Sequence, residues 1–170
     1  RIAEENGSEV AFHGWYDQFS TVKSLMSGRT DINVFFWIDG LGLDWVPLIE
    51  QIVKEREDDG YYLNEVLVAH AKLPTRTQNN KEDLQQLGGV LLEKIGDLDT
   101  LAHTVREYPQ YIIDDIENIR KSINAVLDAH PKQKIAIVSD HGMTYLSQMV
   151  DGRNLKGIDS DHYGRCAGCK

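Results

Sequence analysis

The chain has 170 residues, 41% hydrophobic and 26% charged, with a net charge of −9. That length supports one domain with a real core. The acidic balance argues against a broad nucleic-acid-binding face, although bound cations would reverse the sign locally and still permit a phosphate site.

No apolar run is long enough to span a bilayer, and no signal-peptide pattern is present, so no membrane association is expected. The two cysteines, Cys166 and Cys169, cannot make a disulfide framework. A lone C-x-x-C reads as half a zinc site, a redox pair or neither, and the expected compartment is the cytoplasm. The first residue is Arg1 and not Met, which fits an excised piece of a longer protein.

Residues 1–30 read as a helical lead-in, with Trp15, Phe19, Val22 and Met26 at helical spacing. Asn33–Ile38 is apolar from Val34 on, as a central parallel strand buried on both faces should be. It runs into Asp39-Gly40-Leu41-Gly42, a tight turn that lets backbone approach a ligand. A helix over Trp45–Glu57 follows, with Pro47 in its first turn, where a missing N–H costs nothing. A third strand is expected at Glu65–Ala69. Leu73–Lys81 is a polar loop that caps the next helix, and a hydroxyl at a helix N-terminus is well placed for phosphate. Residues 90–95 fit a short strand or the end of a helix.

Asp99 and His103 lie four apart and share a face if helical, so they can converge on one ion. The alternative is an N-capping aspartate with an unrelated histidine one turn on. Tyr108–His130 is a long amphipathic helix with Ile112, Ile113, Ile116, Ile119, Ile123, Val126 and Leu127 on one side. Lys134–Val138 is β-branched and apolar, a buried strand that ends in Ser139-Asp140-His141-Gly142. Two metal-ligand side chains therefore stand at a strand's C-terminal tip, the edge where open α/β sheets bind ligands. A polar turn with a capping Asp140 and a solvated His141 is the plainer reading. The tail over 159–165, which contains His162, reads as a polar loop.

Asp39, Asp99, His103, Asp140, His141 and His162 are six hard or borderline ligands from separate tips. Aspartate mixed with histidine suits zinc, with manganese as the second choice. Six side chains are too many for one tetrahedral ion and right for two. Two ions about 3.5–4 Å apart clamp the attacking and leaving oxygens of a phosphoryl displacement, and an ion-held threonine loses its proton readily. Three carboxylates and one alkoxide match two divalent cations in charge. Without metal such a site repels itself, so metal should stabilise the fold.

The order Ile38-Asp39-Gly40, Pro74-Thr75-Arg76-Thr77, Asp99-x-x-x-His103, Ser139-Asp140-His141-Gly142 and His162 resembles the alkaline phosphatase superfamily over residues 33–165. The Pro-Thr-x-Thr loop running to Asn80-Lys81, and the closing Asp161-His162-Tyr163-Gly164-Arg165, resemble more narrowly the PglZ domain of bacterial phage-defence systems (phage growth limitation and its BREX relatives). The resemblance implies an α/β fold with an alkaline-phosphatase-like core, a mostly parallel sheet flanked by helices, over residues 31–170. It implies Thr77 as nucleophile, with Thr75 as the fallback. Asp39, Asp140 and His141 would hold the same ion as Thr77, and Asp99, His103 and His162 would hold the other. The implied activity is a phosphodiesterase or phosphatase acting on a phosphate ester, nucleotide or nucleic acid, with other phage-defence proteins as partners. Two further readings are a non-catalytic PglZ-type scaffold that binds partner proteins, and a plain α/β domain whose acids and histidines are caps. A metal-activated mutase would use the same parts.

Overall fold

The computed structural model describes residues 14–73, 75, 77–87, 92–102, 110–142, 158–161 and 166–169. Its centre is β1, Val34–Asp39, which is buried along nearly its whole length. Alternation along this strand divides the core in two. Phe35 and Trp37 pack with Ile32, Leu84, Leu87 and Val138, and Val22 and Met26 join them. Ile38 packs on the other side with Trp45, Ile52, Leu98, Ile119, Ile123 and Leu127.

Two strands flank β1, both parallel to it, in the order β2–β1–β3. β2 is Leu92–Asp97 and β3 is Ile135–Val138. Phe35 pairs with Leu92 and Asp39 with Asp97, while Trp37 pairs with Val138. Parallel strands need crossovers, and helices supply them. α1 is Val22–Met26, α2 is Val46–Lys54 and α3 is Thr77–Gln85. α4 is Leu98–Ala102 and α5 is Gln110–Ala129. α5 buries Ile119, Ile123, Val126 and Leu127, and packs against β2, α2 and α4. The result is a small all-parallel sheet flanked by helices, an α/β arrangement. No helix among the described residues is long and apolar enough to cross a membrane.

The β1–β2 register slips between Trp37 and Ile38: Trp37 pairs with Lys94, but Ile38 pairs with Gly96, leaving Ile95 as an extra residue. Gly96 is needed there for space. A Cβ on it would lie 2.9 Å from Ser122 Oγ, 3.1 Å from Asn118 Oδ1 and 3.2 Å from Ile38 Cγ2. α5 therefore sits directly on the bulge.

Five expectations change. Ile113, expected on the buried side of its helix, is exposed, and residues 77–81, expected in the loop, already belong to α3. The helix expected across Trp15–Met26 is interrupted at 17–21, and Thr21 starts α1 afresh by accepting a hydrogen bond from Ser24 N. Residues 65–69 form no ladder. They have no regular structure, Val66, Leu67 and Val68 are exposed, and the one bridge nearby is an isolated one at the next residue, His70, to Thr21. A continuous apolar run read as a buried strand here lacks the neighbour that would bury it. The tail contains an antiparallel pair, β4 (Ile158–Asp161) with β5 (Cys166–Cys169), where only a loop was expected. The region left open at 90–95 is resolved as strand from Leu92.

Ile38 is fully buried at the join of β1, α2 and α5. Ile38→Ala should lower the unfolding free energy by about 3 kcal/mol. Ile113→Ala, at an exposed position of α5, should change it by no more than about 0.5 kcal/mol. Chemical denaturation with both variants measures the difference.

Candidate metal centre

All three sheet strands end on one edge, because parallel strands share a direction. Asp39 is the last residue of β1, and Asp140 and His141 follow β3 by two and three residues. The chain turns sharply after Asp39 at Gly40, whose φ of 75° a side-chain-bearing residue would resist. That turn aims Gly40 N at Asp140 Oδ1, 3.3 Å away. The next contact is backbone on backbone: a Cβ on Gly142 would lie 3.1 Å from Gly42 Cα. Two glycines thus let the β1 and β3 tips close on each other. Ser139 Oγ donates to the His141 carbonyl at 2.6 Å and pins the second tip.

Asp39, Asp140 and His141 are all buried, and one ligand atom from each lies within 4.8 Å of the others. His141 Nε2 is 3.6 Å from Asp39 Oδ1 and 3.5 Å from Asp140 Oδ2. Thr77, the first residue of α3, brings its Oγ1 to 3.0 Å from the same Nε2 and 3.3 Å from Asp39 Oδ1. Thr77 is held there from behind. Asn80, one turn along α3, accepts from Lys72 N at 2.7 Å and donates to Lys72 O at 3.3 Å, tying the helix to the preceding segment.

The ring of His141 is oriented by its other nitrogen. Nδ1 lies 3.2 Å from the Gly142 carbonyl, which can only accept, so Nδ1 carries the proton. In the neutral ring this leaves a lone pair on Nε2, directed at the two carboxylates and the hydroxyl, the tautomer a metal ligand needs. Asp140 Oδ2 is buried and has no hydrogen-bond partner among the described residues. Burial pushes the Asp140 carboxyl above the ordinary aspartate range, opposed by His141 and reinforced by the charge of Asp39. A buried acceptor left unpaired beside a second carboxylate is costly in isolation. A divalent cation coordinated by Asp39, Asp140, His141 and the Thr77 hydroxyl would satisfy every one of these atoms.

Four of the expected site residues therefore converge: Asp39, Thr77, Asp140 and His141. Asp99 lies in α4, directly after β2. His103 and His162 lie outside the described residues, and with Asp99 they were the expected set for a second ion. Thr75 was the fallback nucleophile; the hydroxyl that reaches Asp39 and His141 is that of Thr77.

One residue of the site was missed. Lys94 Nζ lies 2.7 Å from Asp39 Oδ2 and 2.5 Å from Asp97 Oδ2. Burial alone would lower its pKa, yet these two hydrogen bonds carry it above the usual lysine range. The metal-free site is consequently less self-repelling than its carboxylates alone imply. A lysine inside an otherwise strand-forming segment was the available signal.

The chain shows no significant match to a family model, to a curated protein or to a solved structure.

For Asp140 the sign of the pH effect follows from its raised pKa. The acid costs the metal-free fold stability as pH rises from the unfolded value through the folded one, and the penalty stays above that range. Asp140→Asn removes the buried charge. It should raise the metal-free unfolding free energy at neutral pH by about 1 kcal/mol and abolish zinc binding. Thermal unfolding with and without zinc reads both effects, and a variant less stable than the parent at neutral pH would count against the burial argument.

Proposed function

We propose that the chain is a metal-dependent phosphohydrolase, a phosphodiesterase acting on nucleotides or nucleic acid, with Thr77 as nucleophile. One observation supports this reading above the rest: both carboxylates and the threonine hydroxyl address the same nitrogen of His141. In a hydroxyl–histidine–acid triad the acid would bond the opposite ring nitrogen from the nucleophile. Here that nitrogen faces a backbone carbonyl. Four groups around one point describe a cation's ligands better than a proton relay.

Zinc is the ion this donor set favours, with manganese second. Such an ion supplies the Lewis acidity that lets a threonine hydroxyl ionise near neutral pH. Thr77 Oγ1 would attack phosphorus as the P–O bond to the leaving group breaks, the proton lost by Thr77 reaching the leaving oxygen through solvent, and water would hydrolyse the resulting phosphothreonine. The negative phosphoryl group would sit beside the N-terminus of α3, where the helix dipole is favourable. The proposal includes a second ion held by Asp99, His103 and His162.

The arrangement of tips supports an alkaline-phosphatase-like core, and the PglZ-type assignment, with its phage-defence setting, rests on the Pro74–Thr77 and Asp161–Arg165 motifs. A second reading, a PglZ-type scaffold that binds partner proteins, draws on the exposed apolar side chains Tyr62, Leu63, Val66, Leu67 and Val68.

The test is hydrolysis of bis-para-nitrophenyl phosphate by the zinc-loaded chain. Turnover should require metal and fall on the order of a thousandfold or more in Thr77→Ala, with zinc still bound. Metal analysis should approach two ions per chain. A folded, metal-loaded protein with no turnover, or one indifferent to Thr77→Ala, would favour the scaffold.

A further inference from the structure

The two oxygens of Asp39 have different tasks. Oδ1 faces Thr77 Oγ1 at 3.3 Å and His141 Nε2 at 3.6 Å, whereas Oδ2 accepts from Lys94 Nζ at 2.7 Å. Lys94 is itself anchored. Asp97 Oδ2 takes its ammonium at 2.5 Å, and the same carboxylate caps α4 by accepting from Thr100 N at 2.6 Å and Thr100 Oγ1 at 2.8 Å. The ammonium also lies 5.2 Å from the centroid of the Trp37 ring.

The bulge makes this possible. In a regular strand residues 94 and 97 would point to opposite faces. The extra residue at Ile95 brings Lys94 and Asp97 to the same face, the one that carries Trp37 and Asp39. Asp39, Asp140 and Asp97, offset by Lys94, leave two net negative charges, the complement of a single divalent ion at this half of the site.

We propose that Lys94 is a positioning residue of the metal centre: it occupies Asp39 Oδ2, so that Asp39 offers an ion one oxygen only, and it serves as an internal counter-cation that moderates metal affinity. This rests on the metal-centre reading above. Lys94 keeps the two strand-end acids of β1 and β2 together when no metal is bound, and it blocks bidentate chelation by Asp39 when metal arrives.

The test titrates cobalt(II), a spectroscopic substitute for zinc, into the whole chain, its Lys94→Met and its Lys94→Arg variants. Calorimetry gives affinity, and the visible spectrum reports coordination number. Removing one positive charge a few ångströms from a divalent ion, even at near-aqueous screening, should tighten cobalt binding on the order of tenfold in Lys94→Met. The visible bands should weaken as Asp39 becomes bidentate. Lys94→Arg, which keeps the charge, should stay near the parent in both. The metal-free melting temperature of Lys94→Met should fall, and the rise on adding cobalt should exceed that of the parent. A merely structural ion pair would lower both melting temperatures alike.

Unchanged or weaker cobalt binding in a folded Lys94→Met overturns the proposal. So does a raised KM at unchanged metal affinity, which would assign Lys94 to direct phosphate contact. If Lys94→Met does not fold, Lys94→Gln is read by the same criteria. Failure of the parent to bind cobalt at all would overturn the metal-centre reading together with this one. A parent that binds cobalt and turns over, with Lys94→Met indistinguishable from it, would overturn this one alone.

Discussion

Two carboxylates buried side by side, Asp39 and Asp140, are the constraint to which the rest of the structure responds. Each costs several kcal/mol to desolvate as an anion, and their mutual repulsion adds to that. The fold does not relieve them by separation. It places them at the ends of adjacent parallel strands and uses glycines at 40, 42 and 142 to bring the two tips into contact. It then supplies partial compensation from groups that carry positive charge or donate hydrogen bonds: Gly40 N to Asp140, Lys94 to Asp39, and the Thr77 hydroxyl beside Asp39. What remains uncompensated at this point is Asp140 Oδ2. An unpaired carboxylate oxygen buried beside a second acid and a histidine is what a bound cation would relieve.

The scaffold behind that point is rigid where the chemistry needs it. β1 is buried on both faces, so Asp39 cannot shift without moving Phe35, Trp37 and Ile38. His141 is fixed by its Nδ1 contact and by the Ser139 turn. Thr77 belongs to a helix clamped through Asn80 to the backbone of Lys72. Side chains on a helix end and on strand ends can hold a geometry to a fraction of an ångström, which loops seldom do. α5 enforces the arrangement from the far side by seating Asn118 and Ser122 against Gly96, which preserves the bulge that turns Lys94 toward Asp97.

Much of this was legible before any coordinates. An unbroken apolar run at 34–38 reads as a strand buried on both faces, and the run at 135–138 is its likeness. Their polar ends, Asp39 and Asp140-His141, follow as tip residues once the strands are parallel. Thr77 was placed beside them by the resemblance of the Pro74–Thr77 loop to the PglZ pattern, not by spacing. The weaker inferences were those that depended on a neighbour. Residues 65–69 are as β-branched and apolar as the true strands, yet they pair with nothing over that span. Periodicity records a side chain's preference for burial and not whether a partner strand is present.

Local composition, then, determined the central strand, its neighbour at 135–138, the long helix α5 and the acids and histidine at the strand ends, because backbone propensity and apolar periodicity are properties of short stretches. It could not determine the role of Lys94. Spacing of three in a strand separates Lys94 from Asp97, and only a one-residue slip against β1, held by α5 packing on Gly96, turns them to the same side. Which oxygen of Asp39 is taken and which is left open was likewise decided by tertiary contact, because hydrogen-bond allocation among buried groups depends on distances between chain segments far apart in sequence.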